Sequence, residues 1–582
     1  MNVVLVGLNV YARDLYSLAN RYLKVYAYKN SDIRSNVHIS IKDFDYGIEE
    51  TAFMSAIAME KPVIVGFSAL VWNMEKIVFL SRLLKALNKD IKIIVGGPQV
   101  SYKPIEILAK YPSLDYIVKG EGEVTFQELL LYFLGKGKSL PEIDGLAYRD
   151  NGVPRENRDR ELIEDINQIP SPYLTENPEE IPGWIAQWET FRGCVYNCAY
   201  CIWGRRKLRF YDTERLKKEL EYFICKGVGH ILFVDSAINL NSRRLKEHFE
   251  TILKNNPPIE SIAAFLHLED LEPSDIDFYC RIPFSVMEIG LQTTNPVALK
   301  NIGRIWKKAK FERNWFPLRD NLNRRFELRV DLIIGLPGDN LDTFRESLRY
   351  VVDVLKPDTP SLFMLQLLRG SRLHQQADNY GIMVEDDYRN WVKGSSSYSS
   401  QDMFRSKILG FAYYLMYYVE LFSRKFYGLI IDSLKITKFQ LIDSLAQWFE
   451  KNPHRLPGWF KDQFLAPKDL ERAEADYLPQ TQNCNGEDSH VSKPSTQISM
   501  IYKNIILDHQ KESGLKTSET KGIGYLEWKK FDASRWIELM NDIVPDFIRG
   551  FVSSNDDEEK ASQLINAFYG TQLIRFFEPE KE

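Results

Sequence analysis

The sequence predicts a multidomain α/β protein: a Rossmann-like N-terminal unit, a second parallel α/β unit and a mainly α-helical C-terminal region. Three observations carry this. The 582 residues amount to three or four domains at roughly 150 residues each. Apolar runs alternate with helical apolar spacing in two separate stretches, the mark of parallel strands joined by crossover helices. After about Asp386 the alternation gives way to aromatic-rich helical patterns.

In the first unit, residues 1–135, the strands are Val3–Leu8, Pro62–Ser68 (PVIVGFS), Ile91–Gly97 (IKIIVGG) and Asp115–Lys119. Its helices are Lys76–Leu87, Ile105–Lys110 and Thr125–Leu134. Glycines follow the strand ends at Gly96, Gly97 and Gly120–Gly122, the edge at which open α/β sheets bind ligands. Residues 136–184 are charged and rich in proline and read as a linker with one hairpin at Asp150-Asn151-Gly152. The second unit, 185–385, has strands near Trp188–Arg192, Ile231–Asp235, Ile262–His267, Val286–Leu291, Glu327–Leu336 and Leu362–Leu368. Residues 386–582 carry helical spacing over Phe404–Phe426, Lys438–Lys451, Trp536–Phe551 and Glu558–Phe577, with a polar loop at Gln480–Ser499. The aromatics Tyr413, Tyr414, Tyr417, Tyr418 and Trp448 read as core.

Composition narrows the class of function. A formal charge of −5 gives no electrostatic footprint for nucleic acid or an anionic membrane. The longest apolar run, Ile408–Val419, falls short of the ~20 residues a helical span needs. The start, MNVVLVGLNV, lacks a basic leader and reads as a strand. A cytoplasmic chain is expected.

Cys194, Cys198 and Cys201 lie in RGCVYNCAYC, directly after a predicted strand, whereas Cys225, Cys280 and Cys484 are isolated. Three thiolates on one loop can hold three irons of a [4Fe–4S] cluster and leave the fourth iron open to a small chelator. A structural zinc ion prefers four protein ligands, usually as two separated pairs.

The C-x3-C-x2-C loop, with Tyr200 before its third cysteine, resembles the radical S-adenosylmethionine (SAM) superfamily. The resemblance extends through MEIGLQTTNPVAL (Met287–Leu299), DLIIGLPGDNLDTF (Asp331–Phe344) and LLRGSRLHQQADNYGI (Leu367–Ile382). It implies a partial (β/α)6 barrel and a SAM molecule chelated to the open iron. By that resemblance Tyr200 packs near the adenine, and Asp235 and Ser236 reach the SAM amino group. Gln292 and Thr293 match a Gln-Ser pair at the fourth strand. A Gln or Asp at a strand end can equally cap a helix or satisfy a backbone group.

The first unit resembles the cobalamin-binding domain that precedes the barrel in one radical SAM subfamily, through GFSALVWN (Gly66–Asn73), GGPQVSY (Gly96–Tyr102) and VKGEGEVTF (Val118–Phe126). The cobalamin contacts implied are Trp72, Gly96, Gly97, Gln99, Ser101, Gly120, Glu121 and Glu123. Glycine permits close backbone approach to a large ring. Glu121 and Glu123 could accept from corrin amides or cap the following helix; Trp72 could cover the lower face or pack between helices. His38, alone among the first 229 residues, lacks the Asp-x-His-x-x-Gly context of a cobalt ligand, so a base-off corrin without a His ligand is expected.

The resemblance implies a C-methyltransferase that uses a 5′-deoxyadenosyl radical and methylcobalamin on a specialised metabolite or an amino-acid- or peptide-derived substrate. Flavodoxin or ferredoxin would supply electrons, and a monomer is expected. Radical cyclisation or rearrangement without methyl transfer, methylation without a deoxyadenosyl radical, and a non-enzymatic cobalamin-binding regulator are the alternatives.

Overall fold

The computed structural model describes residues 1–9, 16–175, 185–203, 206–254, 259–385, 389–417, 431–432, 434–456 and 547–548. The helices expected at 536–551 and 558–577, the loop at 480–499, Tyr418 and Cys484 lie outside these residues, apart from positions 547 and 548. The chain divides into two compact units. One comprises Met1–Asp331, Gly335–Gly338 and Met364–Ser397; the other Leu332–Ile334, Asp339–Phe363 and the described part of Tyr398–Glu582.

The larger unit contains two sheets. The first is built from β1 (Asn2–Asn9), β2 (His38–Asp45), β3 (Ile64–Ser68), β4 (Lys92–Gly96), β5 (Tyr116–Val118), β6 (Leu146–Asp150) and β7 (Val153–Glu156). Their order is β2-β1-β3-β4-β5-β6-β7. The first five strands are parallel, and the last two add antiparallel at the β5 edge. The hairpin read at Asp150-Asn151-Gly152 is therefore the β6–β7 turn, with φ of 50° at Asn151 and 84° at Gly152. The stretch read as a linker thus extends the sheet. Helices Glu50–Met59 and Met74–Leu87 cover one face of the sheet and Leu18–Ala27 and Glu123–Phe133 the other, burying the apolar sides of β1, β3 and β4.

The second sheet of this unit runs β14 (Glu327–Ile334), β13 (Phe284–Gln292), β12 (Ser261–Leu266), β11 (His230–Phe233) and β8 (Ile185–Trp188). β8, β11, β12 and β13 pair in parallel. β9 (Phe191–Cys194) and β10 (Arg206–Phe210) form an antiparallel hairpin whose connection is the cysteine loop. The last three residues of β14 fall in the smaller unit, as does nearly all of β15 (Thr359–Met364). Each of the six strands expected in this part of the chain has a counterpart.

The smaller unit is mainly helical, with Ser400–Tyr417 packed on Lys438–Lys451. Tyr413 and Tyr414 are buried there, and the Tyr413 hydroxyl donates to the Pro360 carbonyl. Among the described residues no helix is long and apolar enough to cross a membrane.

Candidate functional site

A cavity of about 740 Å³ opens over the carboxyl ends of β1, β3, β4 and β5. It lies within the ~300–1,000 Å³ span of cofactor pockets. In a parallel sheet ordered 2-1-3-4-5 the order of strand addition reverses between β1 and β3, and ligands bind at that point. Gly96, Gly97, Ser101, Gly120, Glu121 and Glu123 all line it. Gly97 sits at φ 104°, ψ 171°, a conformation essentially confined to glycine. A Cβ there would stand 2.5 Å from the Ala69 carbonyl oxygen, so β3 and β4 approach only because that atom is missing. The Ser101 hydroxyl ties two turns together: it donates to Gly97 O (2.8 Å) and accepts from Gly120 N (3.2 Å).

Two of the residues expected here, Trp72 and Gln99, do not line it, and two more, Glu121 and Glu123, are paired with cations. The Trp72 ring packs edge-on against Tyr46 at 6.2 Å, and Leu70 and Asn73 line the cavity instead. Asn73 fixes that loop, its side chain accepting from Leu70 N and donating to Ser68 O. Gln99 is buried within the short helix Pro98–Ser101. The third difference is electrostatic. The Glu121 carboxylate is held by Arg209 (2.5 and 2.9 Å), and Glu123 by Arg192 (2.8 Å). Burial pushes the Glu121 pKa up, but the Arg209 and Arg192 guanidiniums outweigh it and hold it below the usual range. Both carboxylates thus pair with cations, while the buried Oε2 of Glu123 has no hydrogen-bond partner and stays open to a donor. Arg192 also pairs with Glu189 at 3.1 Å and lies over the Tyr22 ring. Neither arginine stood out in the sequence, because Glu121 and Glu123 lie about 70 to 90 positions away in the chain.

From the other side the cavity is walled by Ile202 and Trp203, the two residues after Cys201. The cysteine loop therefore faces the Gly-rich strand ends across one space. Cys194 is buried, Cys198 and Cys201 are half-buried, and all three are free thiols. Among the described residues no three His, Cys, Asp or Glu side chains converge as a single metal ion requires. Three thiolates binding three different irons need not converge. Arg304 places Nη1 3.8 Å from Cys198 Sγ, and its other amino group donates to the Gly290 carbonyl. This cation, unexpected from sequence, stands beside a thiolate that would carry negative charge. Tyr200 is half-buried in the same loop, its hydroxyl pKa raised by burial. Tyr196 stacks on His267 at 4.0 Å, and burial together with Arg304 pushes that imidazole down to about 3, so it is neutral.

The strand-end residues divide into two kinds. Asp235 is fully committed to the fold: Oδ1 accepts from Thr190 N (2.8 Å) and Oδ2 from the Thr190 hydroxyl (2.5 Å). It pins the strand that enters the cysteine loop, the backbone-satisfying role open to an Asp at a strand end. Ser236 does related work, donating to Gly193 O at 2.8 Å. Thr293 is buried and accepts from Asn295 N, a turn that leads into the helix Pro296–Asn301. Gln292 differs from these. It is buried at φ 69°, and its Oε1 meets no donor. A left-handed, buried residue with an orphaned acceptor costs stability, so it fits a ligand N–H. Taken together, the glycine cradle and this orphaned acceptor suit the two cofactors implied above.

Burial pushes the Asp235 carboxyl up to about 7, against three hydrogen bonds that oppose it. Because the folded value lies above the unfolded one, its stabilising contribution is complete below about pH 4 and is lost as pH rises to about 7. Asp235→Asn keeps the Thr190 contacts without the charge. Its stability relative to wild type, from urea unfolding, is expected to rise across pH 4–7 and level off above; a flat difference would contradict the burial argument.

Residues 5–130 match the B12 binding domain family and residues 188–351 the Radical SAM superfamily. The chain is 29% identical over 381 residues to the 2-(S-pantetheinyl)-carbapenam-3-carboxylate methyltransferase of Streptantibioticus cattleyicolor, covering 60% of this chain and 52% of the relative. It is 25% identical to the cobalamin-dependent radical SAM methyltransferase TokK of Streptomyces tokunonensis, covering 65% of this chain and 57% of TokK. The chain thus spans about half the length of the curated relatives it matches. Among solved structures it resembles the cobalamin-dependent SAM radical enzyme OxsB with a TM-score of 0.56 at 17% identity, covering 93% of this chain and 84% of OxsB. TsrM from Kitasatospora setae gives a TM-score of 0.53 at 17% identity, covering 66% of this chain and 79% of TsrM. These two likenesses concern the fold.

Proposed function

We propose that this chain, placed among the cobalamin-binding radical SAM proteins by its two matched domains, is a C-methyltransferase. The substrate class is a specialised metabolite or an amino-acid- or peptide-derived molecule, and the setting is cytoplasmic. One observation carries the reading: the glycine cradle of the first sheet and the residues following the cysteine loop wall the same cavity.

When bound, the cluster supplies the electron for reductive cleavage of SAM, and methylcobalamin supplies the methyl group. The chain's own residues hold, orient and shield. Cys194, Cys198 and Cys201 are the thiolates for three irons. Gln292 offers its orphaned Oε1 to a donor on SAM, and Asp235 and Ser236 hold the loop in place without touching the cofactor. Gly96, Gly97 and Gly120 let the corrin approach the backbone, Leu70 presents an apolar side chain to it, and Trp203 closes the cavity toward the cluster. Excluding water there protects reactive carbon centres from quenching.

The corrin is proposed to bind base-off without a His ligand. His38 begins β2, at the sheet edge opposite the cavity, and His374 packs edge-on against Tyr102 at 5.3 Å. The Co(II) form is expected to show no nitrogen splitting from histidine in its EPR spectrum, unchanged in His374→Ala; splitting lost in that variant would overturn this point.

The function is tested by metal content after anaerobic purification from cobalamin-fed cells, followed by turnover with methyl-labelled SAM. About four irons and one cobalt per chain are expected, with labelled product. Product without added methyl would favour rearrangement, and methylation without 5′-deoxyadenosine a non-radical route. Zinc in place of iron would overturn the reading.

A further inference from the structure

We propose that the segment Lys300–Lys310 is the docking surface for an acidic protein that carries single electrons, and that this is where the cluster is reduced. The inference rests on the cluster reading above and adds the place of electron entry.

The segment reads KNIGRIWKKAK: Lys300, Arg304, Lys307, Lys308 and Lys310 are basic, and no acidic residue occurs between Pro296 and Phe311. In a chain of net charge −5 such a run is a local reversal of sign. It links the helices Pro296–Asn301 and Lys308–Arg319 and packs directly on the cysteine loop. Ala199 N donates to Ile302 O at 2.7 Å, between Cys198 and Tyr200. Gly303, at φ 67°, comes so close that a Cβ would lie 2.8 Å from Asn197 O. Arg304 turns inward to Cys198 Sγ, while Lys300, Lys307 and Lys308 point to solvent. Lys308 has a distant partner in Glu312 at 3.8 Å, with its side chain still 59% exposed.

Two large apolar side chains stand among these lysines, Ile305 at 75% and Val297 at 56% exposed. An apolar centre with a charged rim is the anatomy of a protein–protein contact, and a small one suits transient redox encounters. A polyanion such as nucleic acid would gain nothing from Ile305 or Val297. The complementary partner is an acidic protein, steered in by the lysines. On contact one electron leaves the carrier's reduced flavin or iron–sulfur centre, which is oxidised by one, and the cluster is reduced by one; no proton moves and no bond forms.

The test uses the cluster-loaded full chain and reduced flavodoxin as the probe, following bleaching of the cluster's visible absorption by anaerobic stopped flow. The triple variant K300E/K307E/K308E is expected to slow reduction by about tenfold or more at low salt. The gap should close as salt approaches ~1 M, where the Debye length is only ~3 Å. Dithionite should reduce both proteins equally, which separates docking from cluster integrity. Ile305→Ser leaves every charge in place and is expected to slow reduction severalfold at all salt concentrations. Should the triple variant lose iron, K300Q/K307Q/K308Q takes its place. Equal flavodoxin rates in wild type and variants would overturn the surface, as would binding of heparin or anionic vesicles with no flavodoxin binding. A chain with no dithionite-reducible cluster would overturn the underlying reading as well.

Discussion

Cys198→Ala is expected to purify with iron near background instead of about four atoms per chain, and to cleave no SAM. The side chain removed is the middle one of three thiolates on a single loop. A second consequence follows from Arg304, whose guanidinium lies 3.8 Å from Cys198 Sγ. Arg304 is half-buried, donates to the Gly290 carbonyl and faces Glu269, and a cluster thiolate on Cys198 would add a close negative partner. Loading the wild-type chain with iron should therefore raise its melting temperature, while Cys198→Ala should show no such rise. The exposed and isolated Cys225 serves as the control, since Cys225→Ala should retain iron and the thermal shift. Iron retained by Cys198→Ala and lost by Cys225→Ala would remove the trio from the site.

Gly97→Val should abolish cobalt uptake while sparing iron. Valine must enter a backbone conformation at φ 104°, ψ 171° that costs roughly 1–3 kcal/mol for a residue with a Cβ. The Cβ also meets Ala69 O at 2.5 Å, adding an overpacking cost of about 1–3 kcal/mol. The loop that must yield carries Leu70, so the damage falls on the cavity wall itself. Cobalt and iron per chain, with thermal unfolding, read this out. Gly152→Val lies at an exposed turn with open space around its Cβ position and should keep cobalt.

How much of this was legible from sequence follows physical lines. β1, β3 and β4 are buried on both faces, so they read as continuous apolar runs. β2 is an edge strand of mixed polarity, HISIKDFD, and carries no such signal. The helix Leu18–Ala27 escaped for a related reason: it buries Asn20 and Arg21, and Arg21 pairs with Asp43 on β2, 22 positions away. The cysteine trio was legible because its ligands are local in sequence. The partners of Asp235, Glu121 and Glu123 were not legible, because Thr190, Arg192 and Arg209 meet them from distant positions. Gln292 was noticed, but its left-handed backbone and orphaned oxygen have no sequence signature.

The pairing of Glu121 and Glu123 with Arg192 and Arg209 bears on how such chains can be cut and recombined. A break near residue 160 would look natural on paper, with a complete sheet on one side and the cysteine loop on the other. It would leave two carboxylates in the first fragment and two arginines in the second, each without the partner it meets across the break, with Arg192 keeping only Glu189. Co-expressed fragments should therefore find each other, while either one alone should be prone to aggregate. A cobalamin-binding half borrowed from a relative would function here only if it brought matching acids, so the two halves are heritable as a set.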